Sequence, residues 1–127
     1  MLKEAVDYNE YPRTQFTKGE QSLLKELSAR KVSYKAQEPF AREGEVTKDG
    51  RVKQYVPDVI VGKLILEVEG KGSASADNPK RDKFFRDKGY DIVHIPDHVA
   101  LKHPAVIVDF VKLLIGAIRV RFGQLMT

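Results

Sequence analysis

Two short runs of mostly aliphatic residues, Tyr55-Val56-Pro57-Asp58-Val59-Ile60-Val61 and Leu64-Ile65-Leu66-Glu67-Val68-Glu69, are separated only by Gly62-Lys63. Runs of this length on either side of a glycine-containing turn read as a strand hairpin. Their near-continuous apolar character places the hairpin at the heart of a sheet. Any fold for this chain must therefore cover a central hairpin while accommodating three carboxylates, Asp58, Glu67 and Glu69, that it carries.

The rest of the pattern supplies the cover. Thr17 precedes Glu20 by three residues, the signature of a capping box, and Leu23, Leu24 and Leu27 follow at helical spacing, which predicts a helix over 17–31. Val32, Tyr34 and Ala36 alternate with polar residues and predict a first strand ending near Glu38-Pro39. Between residues 40 and 55, Asp49-Gly50 favours a tight hairpin turn. Residues 70–79 are small and polar and read as a loop. Lys80 to Lys88 then form a helix closed by Gly89, followed by a strand with Tyr90, Ile92, Val93 and Ile95 that Pro96 stops. Residues 97–104 read as a connection and 105–122 as a long apolar-rich helix, whereas residues 1–16 read as an irregular arm. This order predicts an α/β fold, a mixed β-sheet flanked by helices, with a parallel βαβ unit from the Glu67 strand through the Lys80 helix to the Tyr90 strand.

Length and composition narrow the class further. A chain of 127 residues is the size of one domain, and 42% hydrophobic with 31% charged residues suffices for one core, so 1–127 is read as a single domain. The absence of cysteine excludes disulfides, thiolate metal sites and cysteine nucleophiles. Met1-Leu2-Lys3-Glu4 lacks a signal-peptide pattern, and no apolar run approaches the roughly 18 residues of a membrane span. The expectation is a soluble intracellular (cytoplasmic) protein with no membrane partner. A formal charge of +4 suits a polyanionic partner without requiring one.

In a strand, Glu67, Glu69 and Lys71 share one face, with Leu66 and Val68 on the other. Carboxylates on a central strand are costly unless paired or bound to metal, and Asp58 lies on the neighbouring strand, within reach of Glu67. Hard oxygen ligands of this kind suit Mg²⁺ or Mn²⁺, which bridge to phosphate oxygens, so a phosphodiester becomes the natural substrate, with Lys71 or Glu69 able to orient an attacking water.

The same residues resemble the PD-(D/E)XK nuclease superfamily, whose pattern is an Asp, often after Pro, then an acidic-x-Lys triplet on the next strand. Pro57-Asp58 followed by Leu64-Ile65-Leu66-Glu67-Val68-Glu69-Gly70-Lys71 looks like that pattern, and the likeness extends over 17–97. Arg81-Asp82-x-Phe-Phe-x-x-x-Gly89-Tyr90 is similar to the very-short-patch-repair endonuclease branch. The resemblance implies a restriction-endonuclease-like core, DNA as partner, DNA repair among the host processes, and a Mg²⁺- or Mn²⁺-dependent endonuclease with Asp58, Glu67 and Glu69 as metal ligands. Either Glu67-Val68-Glu69 or Glu69-Gly70-Lys71 can be the triplet. The apolar run ending at Leu66 favours Glu67 as the metal carboxylate, with Glu69 in the place of the usual Lys.

Other features carry two readings each. Glu20 is the capping partner of Thr17, or the helical Glu that in this family reaches toward the metal. Lys80, Arg81, Lys83, Arg86 and Lys88 are a solvated face or a set of phosphate contacts, which Ser73 in the preceding loop would extend. His94, His98 and His103 have no zinc-like spacing and read as surface or core residues. The last helix bears more apolar surface, including Ile107, Val111, Ile115 and Val120, than one buried stripe needs, which core burial and a homodimer interface would share. The alternative to an endonuclease is a catalytically silent nucleic-acid-binding or assembly module of the same fold.

Overall fold

A computed structural model describes residues 16–70 and 79–126. Most of the expected N-terminal arm, Lys71 and the Ser73 loop lie outside the described residues. The fold is α/β: a four-stranded mixed sheet flanked by helices, with a separate two-stranded ribbon.

Helix α1 (Lys18–Ala29) begins with the complete capping box. The Thr17 amide donates to Glu20 Oε1 at 2.7 Å, and the Glu20 amide donates to Thr17 Oγ1 at 3.1 Å. Leu23 and Leu27, one turn apart, point wholly into the core. The predicted first strand shrinks to β1 (Lys35–Ala36). Val32 donates back to the Leu27 carbonyl across Lys31, which sits at φ 57°, so residues 30–32 finish the helix rather than start a strand. Pairing ends just as early at the other side, where Gln37 also has positive φ.

Strands β2 (Phe40–Val46) and β3 (Val52–Tyr55) form the ribbon, turned by Gly50 at φ 88° where the Asp49-Gly50 pair predicts it. Strands β4 (Val59–Val61) and β5 (Leu64–Glu69) make the central antiparallel hairpin, with Val59 opposite Leu66 and Gly62 at φ 60° in the turn. Helix α2 (Pro79–Asp87) leads into β6 (Asp91–Pro96), which runs parallel to β5 as the βαβ pattern requires. The sheet order is β1-β4-β5-β6.

The expected 97–104 connection instead contains a short helix, α3 (Asp97–Lys102), capped by Pro96 without a side-chain bond. Six residues with one buried anchor, Ala100, leave almost no periodic trace in a sequence. Helix α4 (Pro104–Met126) starts at a proline, which suits the first helical position.

Alternation in the strands separates two cores. Val59, Val61, Leu64, Leu66, Val68 and Ile95 face α1, α3 and α4, packing on Leu23, Leu27, Val108 and Val111. Ile60 and Ile65 face the opposite way, toward Tyr55 of the ribbon and Phe85 of α2. Glu67 lies two residues beyond Ile65 and therefore belongs to the α2 side. On α4, Ile107, Val108, Val111 and Ile118 are buried, whereas Val106, Phe110 and Leu113 stay exposed.

α1 meets α3 at unusually close range. Thr17 Oγ1 donates to Asp97 Oδ1, and a Cβ at Gly19 would stand 2.5 Å from the Asp97 backbone oxygen. An alanine there gains about 1 kcal/mol of helix propensity but must push a backbone away, an overpacking cost of about 1–3 kcal/mol. Gly19→Ala is therefore expected to lower the thermal unfolding midpoint. An unchanged or raised midpoint would show that α3 yields freely.

Candidate active site

The carboxylates gather where β4 begins and β5 ends. Pro57 has no amide to continue the ladder, and Asp58 fills the gap with its side chain: Oδ2 accepts from the Val68 amide at 2.8 Å, and Oδ1 accepts from Gln37 Nε2 at 3.4 Å. In return the Asp58 amide donates to Glu67 Oε2 at 3.1 Å. The hairpin register thus brings Asp58 and Glu67 together, as the sequence predicts, with both side chains buried, at 4% and 1% exposure.

Arg81 completes the junction from α2. Its Nη2 lies 3.0 Å from Glu67 Oε1 and 3.4 Å from the Val56 carbonyl, at 1% exposure for both members of the ion pair. Burial pushes the Glu67 carboxyl above its ordinary range, opposed by the Arg81 charge and hydrogen bond and by the Asp58 amide. Among the described residues of the expected phosphate-binding set, Arg81 is the one that this geometry turns inward. It precedes the buried Phe85 by four residues and so shares its inward stripe. Lys80, Lys83 and Arg86 are exposed, with Lys80 3.6 Å from Glu45 and Lys83 2.7 Å from Asp87.

Glu69 lies on the same β5 face as Glu67 and takes its own partner from β6. Its Oε2 bonds His94 Nδ1, and the other ring nitrogen, Nε2, is 2.9 Å from Asp82 Oδ2. The parallel register sets His94 beside Glu67, on the α2 side of β6. Ionised carboxylates only accept, so a ring bridging two of them carries a proton on each nitrogen. Partial burial lowers the His94 pKa, but the bonds to Asp82 and Glu69 outweigh it and hold the group above its ordinary value. By sequence His94 reads only as a surface or core residue and Asp82 only as part of the Arg81-Asp82 segment, with no site role for either. The available signals were a lone polar residue inside β6 and an Asp three before Phe85, both on stripes that point at Glu67.

Glu20 closes the cap of α1, a helix that packs on the other core, and is itself 1% exposed. Among the described residues no three His, Asp or Glu side chains form a ready-made metal cage. The donor chemistry nevertheless fits Mg²⁺ or Mn²⁺, which are held through one or two carboxylates and keep several waters. Asp58 and Glu67 thus meet at a junction that also holds Arg81, with Glu69 and Asp82 bridged by His94 next to it. Among the described residues no helix is long and apolar enough to cross a membrane.

No family model matches this sequence, and no curated protein does. Among solved structures, the catalytic domain of the homing endonuclease I-Bth0305I is similar at 23% identity, over 84% of this chain and 97% of that one, with a TM-score of 0.45.

Proposed function

We propose that this chain is a Mg²⁺- or Mn²⁺-dependent endonuclease of DNA. The observation that carries the reading is the buried meeting of Asp58 and Glu67 across the central hairpin, beside Glu69 and Asp82, which His94 bridges next to Glu67. Buried carboxylates on a central strand are costly unless paired or bound to a cation. Asp58 and Glu67, with Glu69 adjoining, would hold that cation. When bound, the metal would stabilise charge on a phosphodiester and lower the pKa of a water.

The chain's own groups would do the remainder. Glu69 can accept a proton from the attacking water or fix its direction, since its carboxylate is held from behind by His94. Lys83 and Arg86, exposed on α2, can grip phosphates on either side of the scissile bond. Log affinity for duplex DNA is then expected to fall linearly with log salt, and Lys83→Glu with Arg86→Glu to flatten the slope by about one unit per lost contact. An unchanged slope would return α2 to the role of a solvated face.

One observation favours a second reading, a catalytically silent DNA-binding module: Arg81 already pairs with Glu67, and Asp58 is bonded by Gln37 and Val68. Calorimetric titration with Mn²⁺ and nicking of supercoiled, mismatched and branched DNA with and without metal separate the two. The endonuclease reading expects metal uptake and metal-dependent nicking, both abolished in Asp58→Ala. DNA binding without either result would leave the silent module.

On α4, the spacing of the exposed Val106, Phe110 and Leu113, four then three residues apart, supports a homodimer through that helix. Sedimentation equilibrium should then show a dimer that Leu113→Glu returns to monomer.

A further inference from the structure

His94 is held at both ends by side chains from two other elements. Nδ1 meets Glu69 of β5 and Nε2 meets Asp82 of α2, while the ring itself leaves β6 beside Glu67 and is 29% exposed. A histidine without a task, at the rim of a sheet, would leave at least one nitrogen to water and its ring free to turn. Here both polar atoms are committed to carboxylates from two other elements.

We propose that His94 is a positioning residue of the carboxylate cluster: by bridging Glu69 to Asp82 it locks the Glu69 carboxylate at the end of β5 and fixes α2 to the sheet at that point. The proposal rests on the reading that the cluster takes a divalent cation. Groups that hold a metal-site carboxylate from behind set its direction, and their loss costs about 10–100-fold in metal affinity or activity. The geometry makes the two ways in which His94 could matter opposite in sign. As a mere positive charge, it would repel a cation, and its removal would tighten metal binding. As an orienting clamp, its removal would free Glu69 to rotate and so weaken binding.

The experiment is a calorimetric Mn²⁺ titration of the full chain as wild type, His94→Ala, His94→Gln and Asp58→Asn, with thermal unfolding of each without metal and single-turnover cleavage alongside. His94→Ala is expected to bind Mn²⁺ about 10–100-fold more weakly and to cleave more slowly by a similar factor, with metal-free DNA affinity preserved. His94→Gln, whose amide can replace one of the two bonds, should fall between. Should His94→Ala fail to fold, His94→Gln decides alone: it lacks the charge, so weaker binding than wild type supports the clamp. Equal or tighter Mn²⁺ binding by either folded variant, with Asp58→Asn silent, overturns the clamp and leaves the carboxylate site standing. Absence of Mn²⁺ uptake by the wild type overturns the metal reading itself, and the clamp with it.

Discussion

Replacing Arg81 with alanine is expected to destabilise the protein by about 3–5 kcal/mol, because Glu67 would be left as a buried, uncompensated carboxylate. For a domain of this size that is a fall of roughly 10–20 °C in the unfolding midpoint. The effect should depend on pH in a definite direction. Burial already holds Glu67 above its ordinary range, and the Arg81 charge and hydrogen bond are the strongest pulls the other way. Without them the folded-state pKa rises further, and the folded variant holds a proton that the unfolded chain has released. Stability must then fall as pH climbs from the unfolded to the folded pKa of Glu67, and the deficit relative to wild type must shrink on acidification below it. Adding Glu67→Gln should recover much of the loss at neutral pH, since an amide tolerates burial better than a lone charge. Urea unfolding at several pH values measures all of this. A loss in Arg81→Ala below about 1 kcal/mol, the range of an exposed pair, would mean that water reaches Glu67 after all.

The largest kinetic effect is expected from Glu69→Gln. The substitution keeps shape and length but removes the charge that His94 holds in place, and with it the group best placed to orient or deprotonate a water. Effects of that kind concentrate in the transition state, so single-turnover cleavage should drop about 10²–10³-fold while metal-free DNA affinity stays within about twofold. Arg86→Ala should show the converse, weaker binding with turnover at saturation nearly preserved, because a phosphate contact is equally useful in ground and transition states. Wild-type cleavage by Glu69→Gln would move the role elsewhere, and loss of binding instead would make Glu69 a substrate contact.

The hairpin, the capped first helix, the parallel βαβ unit and the placing of Asp58 beside Glu67 were all legible in the sequence. Each rests on a local rule: strand periodicity, turn glycines, the Thr17–Glu20 cap, and a register that a two-residue turn leaves almost no freedom to change. Other features depended on which neighbours a side chain would meet, and local rules do not reach that far. Arg81 counted among the basic residues of α2 by type, yet its position one turn before Phe85 turned it inward onto Glu67. His94 looked ordinary until the parallel pairing of β6 with β5 set it next to Glu67, with Glu69 and Asp82 at its two nitrogens. Glu69 belonged by alternation to the face of Glu67, and the histidine that holds its carboxylate comes from another strand. Periodicity along one element determined which residues share a face. Charge pairing across elements, set by a desolvation cost that only the packed chain imposes, decided what each buried charge does there.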